Sequence, residues 1–130
     1  QLLGLSYKLH GYMLVHLGQP QRAVASFERA LELHQSHDDR EDIGRIYNVM
    51  GEAARVSGDY AAAVEWYKQA LAIGRELRNP ERLIMYTSNL GGALVGLGKY
   101  AQAIKYLHQA LGLTNALSWY AIRDFFFASG

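Results

Sequence analysis

The sequence predicts an all-α fold, a stack of antiparallel helix hairpins, and three observations lead there. Three segments align without a gap, each 40 residues after the last: Tyr7 to Leu33, Tyr47 to Ile73 and Thr87 to Leu113. Within them Gly11, Gly51 and Gly91 coincide, as do Gly18, Gly58 and Gly98; so do Ala23, Ala63 and Ala103, and Ala30, Ala70 and Ala110. Composition is the third: half of the 130 residues are apolar, 19% are charged and two are proline. That balance suits helices around a core and not a disordered chain.

Taken in order, the elements have their own signals. A helical pattern over about 2–17 stops at Gly18, where glycine takes the left-handed conformation that ends a helix cheaply. Pro20 suits the first turn of a second helix, about 20–36. Asp39, ahead of Glu41 and Asp42, caps a third over about 40–57. Gly58 ends that one and Asp59 caps a fourth over about 60–77. Asn79 before Pro80 and Glu81 opens a fifth, about 80–97, and after Gly98 a sixth runs over about 100–117. Ser118 is expected to cap an extra C-terminal helix over about 119–129, the unpartnered first member of a fourth pair.

The columns explain the pairing. Gly11, Gly51 and Gly91 fall inside helices, where glycine costs about 1 kcal/mol against alanine. Their recurrence predicts that another backbone approaches closely there. Ala23, Ala63 and Ala103, with Val24, Val64 and Ile104, supply a small surface, and Phe27, Tyr67 and Leu107 are the knobs one turn on. Small–large alternation of this kind lets two antiparallel helices interlock. The chain then reads as a single domain of three repeats, about 1–37, 38–77 and 78–117, and a partial fourth, 118–130. It begins at Gln1 with no initiator Met, as expected of a piece of a longer protein.

A glycine at the eighth position of each repeat, alanine at the twentieth, a bulky residue at the twenty-fourth and alanine at the twenty-seventh resemble the tetratricopeptide repeat. Tyr60 and Tyr100 match the aromatic at the family's seventeenth position, and Pro20 departs from it. The resemblance covers Gly4 to about Leu117 and implies a right-handed superhelix, an α-solenoid. The 40-residue period is similar to that of repeats in bacterial signalling ATPases and transcriptional regulators, and in polarity scaffold proteins. Family members that grip a chaperone's C-terminal carboxylate use a basic and amide set that this chain matches at Lys8 alone. Tyr12, Val49, Met85 and Asn89 depart from it.

Stacked hairpins turn gradually, so the first helix of each pair lines a concave groove. The face opposite the packing glycine carries Lys8, Tyr12, Val15 and His16 in the first repeat. The second presents Arg45, Asn48, Glu52 and Arg55, and the third Met85, Ser88, Asn89, Gly92 and Val95. These positions differ in chemistry between repeats while the packing columns do not, as expected of a protein- or peptide-binding surface on a shared scaffold. Lys8, Arg45 and Arg55 suit acidic groups, Asn48 and Asn89 an extended peptide backbone, and Tyr12 an apolar contact. The competing readings are a small-molecule sensor of a bacterial transcriptional regulator and a structural oligomerisation arm.

Other chemistry finds little support. A formal net charge of +1 gives no field for non-specific nucleic-acid binding, and Trp66, Tyr67 and Tyr106 read as inter-hairpin packing. No cysteine is present, so no thiolate site or disulfide forms and a reducing, cytoplasmic setting is expected. No apolar run reaches the length of a membrane span. His34, His37, Asp38 and Asp39 are the one dense set of metal-ligand types, and they read as a polar turn whose aspartates cap a helix. His10 and His16 share no helix face, and His108 reads as outer surface. Glu52 and Glu65 are the carboxylates expected to be partly buried, without a second acid to form a catalytic pair. No phosphate-binding loop or nucleophile turn appears. No enzyme, cofactor or metal is expected. The extra helix would leave Trp119, Ile122, Phe125, Phe126 and Phe127 short of cover, which predicts self-association through a terminus.

Overall fold

The computed structural model describes residues 2–36 and 39–128. Six helices follow one another: α1 Leu2–His16, α2 Pro20–Ser36, α3 Arg40–Val56, α4 Tyr60–Leu77, α5 Pro80–Gly96 and α6 Tyr100–Ala128. No strand occurs among the described residues. Helices α1 and α2, α3 and α4, and α5 and α6 form the three hairpins, and α2 on α3 and α4 on α5 join them into a stack.

The turns within hairpins are alike because their sequence is alike. Gly18, Gly58 and Gly98 have φ of 75°, 84° and 78°. In the second hairpin Gly58 N donates to Arg55 O at 3.0 Å and Asp59 N to Ala54 O at 2.8 Å, the double closure that satisfies a helix's last carbonyls. Equivalent pairs recur at Gly18 with Gln19 and at Gly98 with Lys99. The starts follow the expected caps: Asp39, Asp59 and Asn79 accept from the backbone N of Asp42, Ala62 and Arg82 at 3.3, 3.1 and 3.1 Å. Between α4 and α5 Arg78 takes the left-handed conformation, φ 52°, at the C-cap.

Inside each hairpin the packing glycine meets a side chain first, which corrects the expectation above; only at Gly91 does a backbone atom, Ala103 O at 3.6 Å, come into contact as well. A β-carbon on Gly11 would lie 2.7 Å from the Phe27 ring, on Gly51 2.6 Å from the Tyr67 ring, and on Gly91 2.7 Å from Leu107. The knob of the second helix lies over the glycine of the first. The alanines at 23, 63, 103, 30, 70 and 110 are all buried. Between hairpins the ring of Tyr60 lies across Gly96.

The C-terminal element differs from expectation. No break occurs at Ser118, and the extra helix predicted at 119–129 is instead a continuation of α6. Every turn that does reverse the chain within a hairpin uses a glycine at positive φ. Between Leu113 and Trp119 no glycine or proline stands, and Thr114 Oγ1 donates back to Ala110 O at 2.9 Å within the running helix. At 29 residues α6 far outruns the 17 of α5. Trp119 in the overhang is exposed; the side chains of Ile122, Phe125, Phe126 and Phe127 lie outside the described residues.

Candidate functional site

The first helices stand side by side, and polar groups link them. Lys8 Nζ of α1 lies 3.3 Å from Asp42 Oδ2 of α3. Arg45 reaches Glu41 at 3.0 Å and Asp42 at 4.0 Å within α3, and Arg82 of α5 approaches Glu41 at 3.8 Å. Lys8, Asp42, Arg45, Glu41 and Arg82 therefore run as one alternating charge chain across three hairpins. Burial alone would push the Asp42 carboxyl up. The charge and hydrogen bond of Lys8, with Asp39 and His34, outweigh it and hold that carboxyl below its ordinary range.

A second link is neutral. Asn89 Nδ2 of α5 donates to Asn48 Oδ1 of α3 at 2.8 Å. That bond fixes both carboxamides in orientation, and each keeps a donor or acceptor to offer elsewhere. Next to them Gly92 is exposed, and a β-carbon built there would meet nothing within 4 Å. The wall is open at that point.

The predicted groove residues divide on this surface. Lys8 and Arg45, expected to meet a partner's acids, meet this chain's own. Arg55 is exposed; burial pushes the Tyr67 hydroxyl's pKa up, and the nearby Arg55 guanidinium only partly offsets it. Tyr12 is half-buried, edge-on to Phe27 with ring centroids 5.3 Å apart. Burial and then Asp42 push its phenol up, while Arg45 pulls it down. Met85 packs against the core of the second and third hairpins, and Ser88 is half-buried. Glu52, His16, Gly92 and Val95 are exposed, and Val15 is half-buried. Sequence reading missed Leu5, Leu9 and Val56, all exposed. The register held the signal: Leu5 is 40 residues before Arg45, Leu9 is 80 before Asn89, and Val56 is 40 after His16. These three stand in the register columns of predicted groove residues.

Glu52 and Glu65 are both exposed, against the expectation that they are partly buried. Glu65 faces solvent beside Lys68 at 3.9 Å. Trp66 stacks on Tyr47 with centroids 5.9 Å apart, and Tyr67 is buried, as the packing account requires. His34 is buried. Its Nδ1 lies 3.9 Å from both Asp39 Oδ2 and Asp42 Oδ2, so the dense set gathers as His34, Asp39 and Asp42. His37 and Asp38 lie outside the described residues. Asp39 is occupied as the cap of α3, and the Lys8 ammonium already sits on Asp42 Oδ2. That charge stands where a metal would otherwise bring its own. No helix among the described residues is long and apolar enough to cross a membrane.

Comparison with known proteins gives the same picture. Residues 3–76 match a family model described as tetratricopeptide repeat, and residues 83–118 match a second of that description. The TPR domain of Arabidopsis FLU superposes with a TM-score of 0.81 at 20% identity, covering 88% of this chain and 97% of that one. A Rap protein complexed with competence and sporulation factor superposes with a TM-score of 0.73 at 22% identity, over 78% of this chain and 28% of that one. At such identities the likeness concerns the fold. In sequence, the chain is 28% identical over 100 residues to outer dynein arm-docking complex subunit 4 of Mus musculus. The match covers 75% of this chain and spans 16% of that relative's length.

Proposed function

The chain belongs to the tetratricopeptide repeat family, and from that premise we propose that its concave wall holds an extended segment of a protein or peptide partner. The architecture is that of a protein-interaction scaffold. The observation that carries the finer reading is the Asn89–Asn48 bond at 2.8 Å beside the open floor at Gly92. Two oriented carboxamides give paired donors and acceptors to a peptide backbone, and exposed Leu5, Leu9, Val56 and Val95 give apolar contact along the same wall. Lys8 and Arg45, already neutralised, set the shape of the wall, while Glu52, Arg55 and His16 are the charged or titratable groups left for a partner's rim.

The module serves a regulatory or signalling protein of the cytoplasm in this reading. The absence of cysteine supports the compartment. The 40-residue period and two similar proteins, one named as a docking-complex subunit and one complexed with a factor, support the role.

The test is a displayed library of random peptides selected against the chain. Peptides so obtained should bind Asn48→Ala/Asn89→Ala and Gly92→Trp chains at least about tenfold more weakly, with helicity retained. Peptides that bind both variants as well as the parent would overturn the reading. Failure of Glu52→Lys and Arg55→Glu to change any binding would instead favour a structural arm.

A further inference from the structure

The 40-residue register compares the two joints of the stack, both of which lie inside the chain. Where α4 meets α5 the joint is filled: the Tyr60 ring lies across Gly96, and Leu94 is 1% exposed. Where α2 meets α3 the corresponding residues are Pro20, Val56 and Ala54, and Ser57 stands in the column of Leu97. In those last two columns the first repeat also carries leucine, Leu14 and Leu17, so the second repeat alone is small there. A tyrosine ring and two leucine side chains thus give way to smaller groups at the joint between the first and second hairpins. Val56, in the place of Gly96, does not line the space they leave.

That space is a cavity of about 160 Å³ bounded by α2, α3 and α4. Its wall is apolar, with Val24, Met50, Ala53 and Trp66 among the lining residues. Water inside would find few polar partners, whereas an apolar cavity of about 150 Å³ takes a single benzene ring. None of the lining residues belongs to the concave wall.

The polar groups at its edge offer acceptors. Ser57 Oγ donates to Ala53 O at 3.1 Å and to Ala54 O at 3.0 Å, which uses its hydrogen and leaves its lone pairs. Asp59 Oδ1 accepts from Ala62 N as the cap of α4. Among the described residues no cation pairs with that carboxylate, and Asp59 is exposed at the mouth. A ring-sized apolar slot beside an unpaired carboxylate suits a ring that carries positive charge on a short arm. We propose that the joint between the first and second hairpins binds a small arylalkylammonium ion, its ring in the slot lined by Met50 and Trp66 and its ammonium on Asp59.

Isothermal titration calorimetry of the whole chain with phenethylamine hydrochloride tests this. Saturable binding of one amine per chain is expected. Ala54→Leu and Ser57→Leu restore the residue that the other repeats carry in those columns, so circular dichroism should report native helicity. Each should weaken binding at least about tenfold by filling the slot. Asp59→Asn keeps a capping side chain and should weaken phenethylamine about tenfold while leaving uncharged phenylethanol unchanged. Absence of saturable binding would overturn the proposal, as would binding indifferent to both leucine variants or to Asp59→Asn. Cyclohexylethylamine bound as tightly as phenethylamine would show that no aromatic ring is selected, and would overturn it too. A peptide's N-terminal phenylalanine presents the same ring and ammonium. Phe-Gly-Gly amide bound more tightly than the free amine would overturn the small-molecule assignment and give the cavity to a peptide terminus.

Discussion

The ring of Tyr67 rests on Gly51 so closely that a β-carbon there would lie 2.6 Å from Cδ1 and Cε1. Tyr67 is buried, and the same contact recurs as Phe27 on Gly11 and Leu107 on Gly91. The distance between α3 and α4 is set by this contact.

Gly51→Ala should therefore destabilise the protein. Alanine gains about 1 kcal/mol of helix propensity over glycine, but the overlap with the buried ring costs up to about 3 kcal/mol, a net loss of as much as about 2 kcal/mol. Thermal unfolding should show a lower Tm for Gly51→Ala and a higher or unchanged Tm for Gly92→Ala, where the space is open.

Ala63→Leu attacks the same joint from the other helix. Ala63 is fully buried in the core of the second and third hairpins, and overpacking there should cost about 1–3 kcal/mol in denaturant unfolding. An unchanged midpoint would mean that the hairpin register is misassigned.

The Asn48–Asn89 bond couples two hairpins. Each single alanine variant should cost about 0.5–1.5 kcal/mol. A double-mutant cycle should return a coupling of about 0.5–1 kcal/mol, since each residue loses the same partner. Additive costs would show that the two carboxamides do not meet in solution.

Asp42 makes stability depend on acid. Its carboxyl titrates lower in the folded protein than in the unfolded chain, so the folded state binds fewer protons. The resulting stability is fully present above the ordinary carboxylate value of about 4. It is lost as pH falls through the lower, folded value. Unfolding midpoints measured down the acid limb should fall more gently for Asp42→Asn and Lys8→Met than for the parent, and at neutral pH both should be less stable by roughly 1 kcal/mol.

The period of 40 and its glycine and alanine columns made the six helix positions and the three turns legible, because each column answers a local steric demand. The end of α6 was not legible. Ser118 looks like a cap, but neither the glycine that ends each first helix nor the Asn–Pro pair that opens α5 recurs between Leu113 and Trp119, and the helix runs on. On the inner wall, faces could be assigned by helical spacing, which placed Asn48 and Asn89 on one surface. Whether Lys8 faces a partner or Asp42 depends on the offset between α1 and α3, a distance that no single helix encodes. Leu5, Leu9 and Val56 were missed for a different reason: exposed apolar residues resemble core ones until the core is known.

Two tryptophans sit at opposite extremes of this architecture. Trp66 is half-buried and stacked on Tyr47 in the joint between the first and second hairpins, while Trp119 stands in the overhang of α6 beside Tyr120 and Arg123. The chain thereby carries two built-in fluorophores that watch different events. Emission from Trp66 shifts red only when the hairpins part, and that from Trp119 responds to whatever touches the helix end, so single Trp→Phe variants would separate melting from docking in one cuvette.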